Sequence, residues 1–405
     1  MHGPWEGSLR PLGPPAMPPT AKPWWDVLPL DFHARQEPFE VPFAKRPAVA
    51  GCAVIDRGVC AATATALFPF FSALAREKHA RRQLERLRFY ADTAFLADPS
   101  RFFLRPGPTR VARRAAGAGL LGPKGARAED LSFESAFEPR NPALRDAYLA
   151  HTKNRTAHAR HVFHGDRPRL TVVVLHGFWA SPYWMNAALF ELPWLYRLGF
   201  DVVFPTMPFH GVRRMEGAFF SGHGFVSPEL GQSSEAMAHA VWDARVIMDH
   251  LRERGVPAIG ITGMSLGGYL TALLASIEPS LAFAIPNVPV ASMVDLLLAW
   301  GPLAKLLRRT LRLAGIGIQD ARRLLAVHHA LSYRPALPKE RLMVIAGVGD
   351  RMAPPSHARL LWEHWGQPTA YYFPGNHALH LDRGGYLRVM AKFLARQGLV
   401  EADAA

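Results

Sequence analysis

A serine, an acid and a histidine, widely separated and in that chain order, carry the side chains that acyl transfer requires. Ser265 stands in "GITGMSLGGYL" (260–270), between Gly263 and Gly267, with Gly268 behind it. Asp350 closes "VIAGVGD" (344–350), and His377 follows "YYFPGN" (371–376). A serine hydroxyl is a poor nucleophile until a base takes its proton. In such a set His377 removes that proton and later returns it to the leaving group. Asp350 holds the imidazole in one tautomer and stabilises the imidazolium. The oxyanion that forms needs two backbone N–H donors. One is expected from Leu266, directly after the nucleophile. The other is expected from Phe178 in "LHGFW" (175–179), where Gly177 lets the chain turn tightly. The glycines around Ser265 are expected to allow a bent backbone that pushes one hydroxyl outward.

Each residue also has a plainer reading. A lone G-x-S-x-G arises by accident in ordinary chains, so its weight comes from lying between an apolar run and a helical pattern. Asp350 would serve equally well as an Asx-type cap on the loop before Pro354 and Pro355. His380, three residues beyond His377, is a rival base, or else a brace for the loop. His176 is expected to support the oxyanion loop. His158, His161 and His164 invite a metal reading, but on a strand they fall on alternate faces, and zinc wants converging ligands. No metal and no organic cofactor is implied. Asp243 reads as a solvated or salt-bridged surface acid.

The elements that must carry these groups are legible as apolar runs. "LTVVVLHGF" (170–178), "DVVFPTMPFHG" (201–211), "AIGITGMS" (258–265), "LAFAIPNVP" (281–289), "RLMVIAGVGD" (341–350) and "AYYFPGNH" (370–377) read as strands. Helical patterns alternate with them at 233–255, 269–277 and about 384–396. That alternation predicts an α/β fold with a mostly parallel sheet covered on both faces, and sites at the carboxyl ends of its strands. Residues about 291–335 interrupt the rhythm with Leu-rich helices. They read as a cap or lid, shaping an acyl pocket or simply packing the core.

Ahead of this lies a different texture. Residues 1–45 form a Pro-rich segment expected to stay irregular. Residues 46–130 form a basic, mostly helical extension, with 113–130 a linker or mobile loop. The catalytic domain is expected over 131–405. Residues 1–170 hold 26 Lys and Arg against 16 Asp and Glu, so most of the net charge of +14 lies there. Such a charge run is either a solvated face or a contact with an anionic surface. No finger, helix-turn-helix or RNA-binding signature supports nucleic acid, so none is expected as partner; an anionic membrane is the remaining candidate. Cys52 and Cys60, the only cysteines, are too few for a disulfide scaffold. Residues 59–75 are strongly apolar but short of a span and hold Pro69, so a buried or interfacial segment is expected. The start shows no signal-peptide pattern. A soluble or peripheral, cytoplasmic protein is the expectation.

From about residue 131 onward the chain resembles the α/β-hydrolases, through "HGFW", "GMSLG", "GVGDRMAPP" and "PGNHALHLD". The resemblance implies a terminal motif that falls on His377, His380, Leu381 and Asp382, with His377 as the catalytic histidine. The long basic N-terminal part and "GITGMSLGGY" are similar to the alpha/beta hydrolase domain-containing protein 18 group. The function this implies is a serine hydrolase of carboxylic esters or thioesters. The alternatives are a lipid acyl hydrolase working at a membrane surface and, in another class, a catalytically silent binding protein.

Overall fold

"TVVVL" fixes the middle of the molecule. All of its side chains are buried. Val173 and Leu175 face one hydrophobic core, and Val172 and Val174 face another. A strand buried on both faces needs no alternation, only apolar β-branched residues. Each such fully buried side chain contributes about 1.5–3 kcal/mol.

The computed structural model of the chain describes residues 8–12, 22–180 and 182–401. Within them, β1 (Ala112–Ala116), β2 (Arg127–Glu134), β3 (Thr156–Phe163), β4 (Thr171–Leu175), β5 (Asp201–Thr206), β6 (Ile259–Met264), β7 (Phe283–Asn287), β8 (Met343–Gly347) and β9 (Thr369–Phe373) form one sheet. Its nine strands run in the order β1-β2-β3-β5-β4-β6-β7-β8-β9. From β5 to β9 every pairing is parallel. At the other end β1, β2, β3 and β5 pair antiparallel. The fold class is the expected one: a mostly parallel sheet between two helical layers.

The helices that bear on the site are α1 (Arg46–Phe71), α2 (Glu77–Arg88), α3 (Leu230–Glu253), α4 (Leu266–Ile277), α5 (Met293–Ala299), α6 (Gly301–Ala314), α7 (Ile318–Leu324), α8 (Pro355–His364) and α9 (Arg383–Ala395). α3 and α4 pack on one face of the sheet, and α9 on the other. α5, α6 and α7 occupy the long connection between β7 and β8. Part of their leucine stripe is core packing, since Leu303 and Leu306 sit against Ala64, Leu67 and Phe71 of α1.

Two expectations need correction. Residues 113–130 are not a linker throughout, because β1 and most of the lead into β2 lie there, and the sheet begins at Ala112. The apolar stretch at 59–75 is the second half of a much longer helix. With its flanking turns the run Phe43–Ala75 is long and apolar enough to cross a membrane. Only 28% of its most apolar window is buried in the protein. The Pro-rich residues 13–21, and Trp5 with the first seven residues, lie outside the described residues. Trp24 is buried, and its indole N–H donates to Ser332 Oγ at 3.0 Å.

Candidate active site

Ser265 follows β6 directly and caps the start of α4. Its backbone has φ 58° and ψ −114°, a region that side chains rarely adopt. Holding it costs on the order of 1–3 kcal/mol. The surroundings impose it: Ser265 N–H donates to Asn287 O at 3.0 Å, and Ser265 O accepts from Tyr269 N–H at 2.8 Å.

The neighbouring glycines act through space, not through φ. A Cβ at Gly263 would come within 2.4 Å of Gly267 O, and one at Gly267 within 2.0 Å of Leu175 O. At Gly268 it would meet Asn287 O at 2.7 Å. The bent residue is therefore the serine itself, and the glycines let β4, β6, β7 and α4 close around it. Gly177 completes the enclosure, since its Cβ position lies 3.6 Å from Ser265 Cβ. That sets the "HGF" loop beside the serine. Leu266 is the first residue of α4, where amide N–H groups have no acceptor within the helix.

Asp350 and His377 follow β8 and β9, at the same carboxyl end of the parallel strands as Ser265 and the "HGF" loop. Asp350 is fully buried, and its Oδ2 lies 2.7 Å from His377 Nδ1. Its Oδ1 accepts from the amides of Met352 and Ala353, each at 2.8 Å. The loop contacts and the imidazole contact thus coexist, one oxygen to each. The ring of His380 stacks on Phe373 with centroids 3.9 Å apart. His176 is buried, with Nδ1 2.8 Å from Gly177 O and Nε2 accepting from Met207 N–H at 3.1 Å. Burial lowers its pKa to about 4. A neutral ring with the proton on Nδ1 satisfies both contacts and ties the "HGF" loop to the end of β5.

The residue that sequence reasoning missed is Asp56, on α1. It is buried, and its Oδ2 accepts from the amides of Arg351 at 3.0 Å and His377 at 3.1 Å. One carboxylate from the N-terminal region thus holds both loops that carry Asp350 and His377. Cys60, one turn further, points its thiol at Arg351 O at 3.2 Å, and Asn376 Nδ2 donates to Cys52 O at 3.3 Å. Burial, with the charges of Asp350 and Asp56, pushes the Cys60 thiol up to about 12, so it stays protonated. A signal for Asp56 was present: it is the only acid in the apolar run of α1. Burial would lower the pKa of His377, but the Asp350 charge and hydrogen bond, with Asp56 behind them, outweigh it and raise it.

The remaining histidines separate. His161 meets Glu129 at 3.0 Å and His164 meets Asp201 at 2.8 Å. Among the described residues no group of three or more His, Cys, Asp or Glu could hold a metal ion. Asp243 is not a surface acid. It is buried, bound to Arg213 at 2.7 Å and Ser135 at 2.5 Å.

No family model matches the chain. Over a 408-residue alignment it is 31% identical to the uncharacterized protein MT2702 of Mycobacterium tuberculosis strain CDC 1551 / Oshkosh, covering 95% of this chain and 89% of that protein. The uncharacterized protein Rv2627c of strain ATCC 25618 / H37Rv matches with the same identity and coverage. The chain belongs to their family. Among solved structures, the acetyl xylan esterase from Paenibacillus sp. R4 is similar with a TM-score of 0.53 at 16% identity, over 77% of this chain and 94% of that one. Acetyl xylan esterase 1 from Thermoanaerobacterium sp. JW/SL YS485 gives 0.52 at 18% identity, over 77% and 98%. The fold is that of the α/β-hydrolases.

Proposed function

We propose that the protein is a serine hydrolase of carboxylic esters or thioesters, with Ser265 as nucleophile, His377 as base and Asp350 as its partner. Ser265 Oγ attacks the acyl carbon while His377 Nε2 takes its proton; Nδ1 is already engaged by Asp350. The amides of Leu266 and Phe178 receive the negative charge on the acyl oxygen. As the intermediate collapses, His377 returns the proton to the leaving alcohol or thiol. Water then releases the acid by the same steps, and Ser265 regains its proton.

The observation that carries this reading is the 2.7 Å Asp350–His377 pair at the carboxyl end of the sheet, where Ser265 holds its forced φ of 58°. The names of the two fold neighbours, both acetyl xylan esterases, agree with an ester substrate. The long basic N-terminal part and "GITGMSLGGY" support a place near the alpha/beta hydrolase domain-containing protein 18 group.

A fluorophosphonate probe tests the assignment. The full chain is expected to label, Ser265→Ala to lose both labelling and p-nitrophenyl acetate hydrolysis, and each to stay folded by circular dichroism. Labelling that survives Ser265→Ala would move the nucleophile to another residue, and a folded wild-type protein that never labels would replace the enzyme with the silent binding protein.

A further inference from the structure

α1 has one face the protein uses and one it leaves to solvent. The inner face carries Cys52, Asp56, Cys60, Ala64 and Leu67, all buried. The outer face and its approach expose large apolar side chains: Phe43 is 84% exposed, Val54 63%, Ile55 53%, and Val59 and Phe68 each 40%. Alanines and glycines fill the spaces between them. An apolar helix of 26 residues with its greasy side outward is unusual for a protein that meets only water.

Around this face the exposed charge is almost all positive. α6 packs on α1 and exposes Lys305, Arg308, Arg309 and Arg312, with no acid along its length. α2 packs on α6 and exposes Lys78, Arg81 and Arg82 against Glu77 and Glu85. Arg57 is the charge within the apolar face, and Lys45, Arg46 and Arg76 bracket it. A greasy stripe framed by cations complements a bilayer with anionic headgroups.

The stripe also leads to the site. Phe70, near the end of α1, lies 5.0 Å from Phe219 and 5.6 Å from Phe220, ring to ring. Phe220 in turn lies 5.9 Å from Phe178 and 6.4 Å from Trp179 of the "HGF" loop. Phe219 is 76% exposed and Trp179 46%. Apolar surface therefore continues from the helix to the neighbourhood of Ser265.

We propose that the outer face of α1, framed by the cations of α2 and α6, docks on an anionic lipid bilayer. The helix lies on the membrane and does not cross it. Asp56 and Cys60 fix its inner face to the loops of Asp350 and His377, so only the outer face is available to lipid. The consequence for substrate rests on the ester hydrolase reading: docking would present the Ser265 site to esters lying in the bilayer.

The experiment is vesicle co-sedimentation with the full chain, comparing phosphatidylcholine alone with phosphatidylcholine containing a quarter phosphatidylglycerol. Binding to the anionic vesicles is expected to be at least about tenfold tighter and to weaken with salt. Val54→Glu with Ile55→Glu should lower it at least about tenfold, while p-nitrophenyl acetate hydrolysis stays within about twofold. Should that pair unfold the helix, Lys305→Gln with Arg309→Gln and Arg312→Gln gives a second test on exposed positions: it should remove the anionic preference. No sedimentation with either vesicle, or binding indifferent to both sets of variants, overturns the proposal. A dimer in analytical ultracentrifugation that Val54→Glu and Ile55→Glu dissolve would assign the face to a second copy instead. Failure of the hydrolase reading looks different, as loss of probe labelling with vesicle binding intact.

Discussion

At the scale of single residues, the carboxylate of Asp56 changes what His377 is asked to do. Its contact is with the backbone of His377, not the ring, so it acts as a positioning residue whose charge is still felt by the imidazole. In the proposed hydrolase only neutral His377 can accept the Ser265 proton, so kcat/KM should rise with pH as the ring deprotonates. Asp350 and Asp56 raise its pKa above the ordinary 6.5, which places that rise on the high side of a free histidine. The protonated Cys60 thiol meets the same loop at Arg351 O, and the positive Arg351 side chain opposes the charge of the two acids. Asp56→Asn keeps an acceptor for the Arg351 and His377 amides but removes a negative charge. The acid limb of its kcat/KM profile is therefore expected to move to lower pH. Asp56→Ala loses the acceptor too and should lower kcat as well. An acid limb unmoved in Asp56→Asn would reduce Asp56 to a structural brace. The same pairing has a stability sign: protonated His377 contributes stability that is full below its unfolded pKa and lost as pH rises through the raised folded one.

At the scale of elements, the turn from β6 to α4 is a closure of backbones, and its tolerance can be forecast. Gly267→Ala forces a methyl into Leu175 O, a backbone atom that cannot swing away, and should cost about 3 kcal/mol, the upper part of the usual overpacking range. Gly177→Ala meets only ordinary contacts of 3.5 and 3.6 Å and should unfold at nearly the wild-type midpoint. Urea titration of both checks the contrast, and equal midpoints would contradict it. The same closure explains what was legible. Strands buried on both faces betray themselves as apolar runs, so β4 through β9 could be read directly, and Asp350 and His377 could be found at the ends of two of them. β1 could not. It is an edge strand with nearly every side chain exposed, so it has neither an apolar run nor alternation. It is held by the backbone ladder with β2, across which its side chains form charge pairs, Arg113 to Glu129 at 2.7 Å and Arg114 to Asp130 at 3.2 Å. In sequence those pairs look like the scattered charge of a loop. Asp56 was hidden for a different reason: its partners lie about 300 residues away, beyond any local pattern.

At the scale of the molecule, the N-terminal region is bound into the α/β fold at several points among its described residues. Leu9 N–H donates to Tyr372 O of β9 at 3.0 Å. Glu37 takes Arg359 of α8 at 3.2 Å. Arg322 of α7 is fully buried, paired with Asp295 of α5 at 2.7 Å, and reaches back to Leu28 O at 2.6 Å and Pro29 O at 2.8 Å. Breaking a buried pair of this kind by removing one partner costs about 3–5 kcal/mol, because the other charge is stranded. Removing residues 1–75 would strip Arg322 of two of its acceptors, uncover Leu303 and Leu306, and delete Asp56 from behind His377. A chain beginning at residue 76 is therefore expected to aggregate or melt well below the full protein, and to label poorly with the probe where it stays soluble. Differential scanning calorimetry and labelling rate on the two chains decide it. A truncated chain that melts cooperatively near the full-length temperature and labels at the full rate would make the N-terminal region an appendage. The contacts of Arg322, Glu37 and Asp56 all argue that it is part of the molecule's frame.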